Sequence, residues 1–361
     1  MRRKGVPEAA LYKRHVEEGN GPLDCERTRR EFLRETLGVG LAYSLSPFLS
    51  KSVYANTLWG ADAPAVSRPK VILSRSNKFL SGGGKANSEL LRKAVDDGVM
   101  RVTGAPTAAG AWSALFKQKE MIGIKLNCLG KKPFSPHVEL VEAIIDGLKS
   151  AGIKDDHVIV FDRTNRELEE AGFRIRKGAG VKSFGTDALA GGGYDLRPQI
   201  AGSVGSCFSR IISSFCDAII NVPILKDHDL SGVSAAMKNF YGVIHNPNKY
   251  HDNNCDPYIA ELNTHPYIRD KSRLIICDAL VAQYNGGPAF KRRWSWPFGG
   301  ILMATDPVAL DRTSANIIEE KRKEMGFPSL KQVKREPKYI RTAAALGLGE
   351  EDPEKIELVE T

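Results

Sequence analysis

Six short apolar runs, many rich in β-branched residues, recur along the chain: KVILS (70–74), MIGIKLN (121–127), HVIVFD (157–162), AIINVPIL (218–225), RLIICDAL (273–280) and GILMATD (300–306). Runs of this length, bounded by polar and turn-forming residues, predict buried strands. Between the second and third, SPHVELVEAIIDGLKSAG (135–152) sets Val138, Val141, Ile145 and Leu148 at helical spacing. Ser135 is the expected N-cap, Pro136 the expected first residue and Gly152 the expected stop. Strand, capped helix and strand in close succession predict a βαβ unit, and so a parallel strand pair. The stretch ATDPVALDRTSANIIEEKRKEMG (304–326) repeats this grammar, with Asp306 as cap and Pro307 in the first turn. The alternation predicts a single large α/β domain with a mostly parallel, doubly covered sheet. That domain is expected to span 56–326, followed by a charged, helical C-terminal tail at 327–361.

The first 55 residues have a different character. TRREFLR (28–34) carries paired arginines, an apolar segment follows at 36–49, and Val53 and Ala55 occupy the small-residue positions of a cleavage site. A charged region, a short apolar region and a cleavage site form an export signal, and the arginine pair makes it a twin-arginine one. Fourteen apolar-segment residues fall short of the roughly 20 needed to cross a bilayer. The mature protein is therefore expected to begin near Asn56, not to be an integral membrane protein, and to reside in the periplasm or outside the cell. The twin-arginine machinery, which exports folded proteins, is its expected first partner.

Net charge is +9 for the whole chain and +6 beyond residue 55, spread without basic runs interleaved with aromatics. Nucleic acid is thus not an expected partner; the sign suits a small anionic ligand. Beyond the signal lie Cys128, Cys207, Cys216, Cys255 and Cys277, with no C-x-x-C anywhere. The closely spaced thiolates of an iron–sulfur cluster are missing, and one disulfide involving Cys207, Cys216 or Cys255 remains open.

In open parallel sheets ligands sit beyond the carboxyl ends of the strands. Lys125 and Asn127 end the second run, Asp162 the third, Lys226, Asp227, His228 and Asp229 the fourth, Asp278 the fifth and Asp306 the sixth. These ends are expected to share a crevice, with a helix starting near Ser231 that turns its N-terminal N–H groups toward it. Asp229 is read as the cap of that helix. His228 is the candidate acid/base or metal ligand, and Lys238 and Asn239 follow on the helix. His228, His245, His251, Asp252, Asp256 and His265 lie within 38 residues but show no tight metal-binding spacing. The polar loop 245–258 therefore reads as a surface loop with incidental histidines, and a metal cofactor stays open. SGGGKA (81–86) lacks the spacing and hydroxyl of a phosphate-binding loop, and GVSAA (232–236) lacks the last glycine of a nucleophile elbow.

The motifs MIGIKLN, NVPILKDHDLSGVSAAMKNFYGVI, LIICDAL with NGGP, and GILMATDPVALDR, in this order, resemble the prokaryotic family called domain of unknown function 362. The resemblance runs over about residues 70–320. It is carried by Pro223, Lys226 and His228, by Lys238, Asn239 and Gly242, and by 306–311. It implies the fold and the position of the site but no reaction. The ten-residue spacing of His228 and Lys238 is also similar to that in nickel-pincer lactate racemases, without the glycine-rich sequence between them. The expected function is that of an exported α/β enzyme acting on a small anionic substrate. His228 and Lys238 would be catalytic, and Lys125, Asn127, Lys226, Asn239, Asp162, Asp278 and Asp306 would bind substrate or cofactor. The alternative is a non-catalytic periplasmic anion- or cofactor-binding accessory protein of an envelope redox system.

Overall fold

The computed structural model describes residues 68–361 apart from Gly83. The expected export signal and its cleavage site lie outside the described residues. The strands are β1 (Lys70–Arg75), β2 (Ile122–Leu126), β3 (Val158–Phe161), β4 (Lys182–Ser183), β5 (Gln199–Ala201), β6 (Val204–Ser206), β7 (Ala218–Val222), β8 (Ile224–His228), β9 (Gly232–Ser234), β10 (Ser272–Gln283), β11 (Ser295–Trp296), β12 (Gly300–Ala304) and β13 (Glu357–Glu360). The helices are α1 (Ser88–Thr103), α2 (Ala108–Leu115), α3 (Val138–Ser150), α4 (Asn165–Ala171), α5 (Ala236–Asn239), α6 (Tyr258–Asn263), α7 (Pro266–Arg269), α8 (Pro307–Glu324) and α9 (Tyr339–Ala345).

Eleven strands form one sheet, whose main order is β13-β1-β12-β10-β7-β2-β3-β4. The neighbours from β10 through β7, β2 and β3 to β4 are all parallel. Each central strand feeds two cores by simple alternation. Val158 and Val160 face one, Ile159 and Phe161 the other; Ile276 and Leu274 face one, Ile275 and Cys277 the other. Helices α1, α2 and α3 cover the first face, while α5, α6, α8 and α9 cover the second. The fold is thus the expected α/β class with a doubly covered, mostly parallel sheet.

Five local expectations are corrected. β12 runs antiparallel to both its neighbours, β1 and β10, so its carboxyl end lies at the opposite edge from those of β2, β3 and β10. The predicted strand 218–225 splits at Pro223, which has no N–H to give a ladder, and resumes as β8 through His228. No helix follows at Ser231; the chain turns back as β9 against β8, and Asp229 lies in that turn rather than at a cap. Helix α3 starts at Val138 with His137 in the N-cap position, so Ser135 caps nothing. The C-terminal tail, moreover, is not simply helical: β13 extends the sheet in parallel beside β1. Among the described residues the five cysteines are free thiols, and no helix is long and apolar enough to cross a membrane.

Asp306 does cap α8, accepting from the N–H groups of Val308 and Ala309 at 2.8 Å each. One and a half turns later Asp311, fully buried, accepts from the N–H groups of Ala236 (2.6 Å) and Met237 (3.2 Å) and from the Tyr339 hydroxyl (3.0 Å). The amino end of α5 is therefore closed by a carboxylate of the protein and is not open to a ligand. Asp311→Ala would strand three buried donors, a loss on the order of 3 kcal/mol or more in urea unfolding. Asp311→Asn, which keeps one acceptor oxygen, should lose less; an unchanged midpoint for Asp311→Ala would refute the clamp.

Candidate functional site

A cavity of about 210 Å³ lies beyond the carboxyl ends of β2 and β3 and alongside β8. Along β8 the side chains alternate, so Lys226 and His228 line it while Asp227 points away. The buried Asp227 carboxylate instead accepts from Gly287 N–H (2.9 Å), Gln283 Nε2 (3.3 Å) and Arg335 Nη1 (3.3 Å). It thereby ties the NGGP turn and the segment after α8 to the strand that carries the site.

The floor is a buried polar chain. Lys125 Nζ donates to Asp162 Oδ1 (2.7 Å), to the Leu126 carbonyl (2.5 Å) and to Asn239 Oδ1 (3.2 Å). Asp162 Oδ2 accepts from Cys128 N–H (2.7 Å), and Asn239 Nδ2 donates to Asn221 Oδ1 (2.7 Å). Asn221 in turn donates to the Ala236 carbonyl at 2.8 Å. A Cβ on Gly242 would lie 2.7 Å from Lys125 Nζ and 3.2 Å from Asp162 Oδ1, so this glycine leaves the room that the ion pair occupies.

Two further lysines lack such partners. Lys226 Nζ meets only the Asn127 amide oxygen, at 3.2 Å, and stands 5.8 Å from the centre of the Phe134 ring. Lys238 Nζ lies 3.1 Å from His251 Nε2 and 4.0 Å from the centre of the Tyr241 ring. Neither has a carboxylate partner among the described residues. Burial lowers both to a pKa of about 8, and for Lys226 the charge of Lys238 adds to the effect.

The two histidines are neutral and have opposite tautomers. His228 Nδ1 accepts from the N–H groups of Leu230 (3.2 Å) and Ser231 (3.4 Å), which leaves the proton on Nε2. Asp229 Oδ1 approaches the same nitrogen at 3.1 Å, but an ion pair would need a charged ring. Burial, with Lys238, His251 and Lys226 nearby, holds the His228 pKa at about 2, so the contact is not an ion pair. His251 Nδ1 lies 3.2 Å from the Pro247 carbonyl and donates to it, so its Nε2 is free to accept from Lys238. Burial first, and Lys238 second, lower its pKa too.

The structure brings together Lys125, Asn127, Asp162, Lys226, His228, Lys238 and Asn239 around one cavity. It does not bring Asp278 or Asp306 there. Asp278 Oδ2 accepts from the backbone N–H and Nδ1 of His137, each at 2.8 Å, and fixes the start of α3. Burial works against a charged His137, but the adjoining Asp278 carboxylate outweighs it and raises the ring's pKa. Asp306 sits at the far edge because β12 is antiparallel.

His251, Tyr241, Arg163 and Glu167 also line the cavity. The loop reading of 245–258 is corrected at His251, which belongs to the wall, whereas His245 packs against Tyr194 and His265 caps α7. No sequence spacing links His251 to β8; only the return of the loop over Lys238 does. Among the described residues no group of three or more His, Cys, Asp or Glu could hold a metal ion. The lining has four lysine and arginine side chains against two carboxylates, a donor set that suits an anion and repels a cation.

Fold and cavity together define an α/β protein with a lysine-rich strand-end site. The family described as Domain of unknown function (DUF362) matches residues 122–316, more than half of the chain, and the chain belongs to it. That span contains every charged residue of the cavity wall. No curated protein matches the chain. Similar solved structures include a crystal structure of a protein from Thermotoga maritima, 10% identical, with a TM-score of 0.43 over 65% of this chain and 59% of that one. Another is the lactate racemase apoprotein from Thermoanaerobacterium thermosaccharolyticum, 15% identical, with a TM-score of 0.33 over 59% of this chain and 50% of that one. The chain thus spans less than two thirds of either, and likeness of this degree says nothing of reaction or ligand.

The buried lysines carry a stability cost with a definite sign. Lys226 titrates at about 8 when folded and at its ordinary 10.5 when unfolded. Between those values the unfolded chain holds the extra proton, so stability rises with pH across that window and the penalty is complete below it. Lys226→Met should therefore stabilise the ligand-free protein near pH 7, by roughly 1–4 kcal/mol. The gain should shrink as pH climbs from 8 toward 10.5. Chemical denaturation at pH 7 and pH 10 checks this; a destabilised variant at pH 7 would mean that Lys226 has a native partner.

Proposed function

We propose that this chain is an exported enzyme that binds a small organic anion between Lys226 and Lys238 and acts on it by proton transfer. The observation that carries the reading is the pair of buried lysines with no carboxylate partner among the described residues, lining one cavity with neutral His228 and His251. An anion would restore the charge balance that burial disfavours, and each charge-assisted hydrogen bond contributes about 1.5–3 kcal/mol. The lysines, which titrate near 8, are better matched to proton transfer at neutral pH than His228. His228 would serve as a neutral Nε2–H donor to the ligand. Lys125, Asp162 and Asn239, bonded to one another, would hold the floor in place, and Asn127 would orient Lys226.

A second reading, an exported anion- or cofactor-binding accessory protein without turnover, is favoured by the His228 pKa of about 2, which deprives that ring of acid/base capacity. Turnover, or its absence, in the presence of a bound ligand separates the two. In both readings the paired Arg29 and Arg30 would direct the folded chain out of the cytoplasm. Replacing both by lysine should leave the protein in the cytoplasmic fraction, and undiminished export would refute the signal.

Titration calorimetry with inorganic phosphate and short carboxylates tests the site. Binding should weaken by roughly 10- to 100-fold in Lys226→Met and in Lys238→Met, in line with one lost charge-assisted bond. It should also fall in the wild type as pH rises through about 8, because neutral amines attract no anion. Equal affinity at pH 7 and pH 10 would overturn the proposal.

A further inference from the structure

The two unpaired lysines are not equivalent. Lys226 ends against an amide oxygen, which can only accept. Lys238 ends against His251 Nε2, a nitrogen whose partner Nδ1–H is committed to the Pro247 carbonyl and which therefore has a lone pair aimed at the amine. An ammonium beside such a nitrogen has a local acceptor for its proton. A proton on either lysine disfavours one on the other, since like charges in a shared low-dielectric cavity repel. The shared cavity therefore favours a state with one charged and one free amine, and when Lys238 is the free one, His251 Nε2 stands ready to relay a proton, a partner that Lys226 lacks. A neutral lysine amine lining a cavity is a nucleophile toward carbonyl carbon. Beside it stand a cation for a carboxylate, Lys226, and an N–H donor for a carbonyl oxygen, His228 Nε2.

We infer that the substrate class is a small 2-oxo acid or related carbonyl-bearing anion, and that Lys238 forms a Schiff base with it while Lys226 holds its carboxylate. The inference rests on the anion-binding reading of this cavity and adds the carbonyl to it. Lys238 reacts in its free-amine form, whose share grows as pH approaches its pKa of about 8, and the neutral His251 Nε2 relays to the carbonyl oxygen the proton that the nitrogen sheds on attack. The free amine lone pair then attacks the carbonyl carbon, forming the C–N bond, and the carbonyl oxygen takes up a proton to give a carbinolamine. The C–O bond then breaks; the oxygen leaves as water, both of whose hydrogens derive in sum from the amine, and the imine remains on Lys238. No oxidant, reductant or further reactant is needed. Tyr241, whose hydroxyl is engaged with the Tyr250 carbonyl at 2.7 Å and whose pKa burial drives up, keeps its proton and offers its ring face to the amine.

The test is reductive trapping. The full chain is incubated with pyruvate or glyoxylate and cyanoborohydride, then analysed by intact mass and peptide mapping. One adduct per chain on Lys238 is expected, absent from Lys238→Met and Lys238→Arg, several-fold slower in His251→Gln, and suppressed by acetate, which has the carboxylate without the carbonyl. The wild-type map stands by itself if a variant fails to fold. An adduct on Lys226, or on exposed lysines alone, overturns the inference. No adduct with phosphate binding intact overturns the Schiff base and leaves the anion site standing, whereas loss of both overturns the two together.

Discussion

The buried contact between Lys125 and Asp162 is the constraint around which the site is arranged. Two charges taken out of water are tolerable only if each remaining hydrogen-bonding position is also filled. Here the Leu126 carbonyl, Asn239 and the Cys128 N–H fill them. That requirement couples four elements: β2 supplies the lysine, the end of β3 the aspartate, α5 the asparagine, and the turn at Gly242 the empty space. Asn221, one strand over on β7, extends the chain of bonds to the Ala236 carbonyl, while Asp311 grips the N–H of the same residue from α8. Helix α5 has only four residues and could not stand by propensity; its position is dictated by side chains that hold it at both ends.

With the floor satisfied internally, the remaining lysines acquire a different meaning. Lys226 and Lys238 are buried, as Lys125 is, but have no carboxylate partner among the described residues, and burying an unmatched cation costs stability. A fold that needed only packing would be served better by Met or Leu at these positions. The cost is intelligible if the missing counter-charge is a ligand, which would explain why a cavity rather than a side chain faces both amines. The same arrangement keeps the histidines neutral: positive neighbours and low dielectric act in one direction on His228 and on His251.

Topology decides which polar residues can take part. Parallel strands β2, β3 and β7 send their carboxyl ends to one edge, and β8 continues β7 past Pro223 into the same region. β10 is long enough to overrun that edge, so Asp278 falls within the strand and serves the start of α3. β12 runs the other way and carries Asp306 out of reach, where it caps α8.

Much of this was legible in the residues. Apolar runs of strand length, alternating with a helix of clear periodicity, were enough for the α/β class and the doubly covered sheet, because burial on two faces demands continuous apolar strands. Lys125, Asn127, Asp162, Lys226, His228, Lys238 and Asn239 could be assigned to one site from their places near strand ends and in the following segment. The sequence could not determine strand direction: nothing in GILMATD distinguishes a parallel from an antiparallel strand, since pairing depends on the neighbour and not on the run itself. Nor could it show the β8–β9 hairpin, where a tertiary ladder overrides the apparent helical pattern after Ser231. His251 was hidden for the same reason. Its loop is polar and irregular, and only the chain's return across the sheet edge sets its ring against Lys238. Residue types and their periods determined the layers and much of the chemistry; pairing between distant segments, decided by the fold as a whole, settled which groups meet.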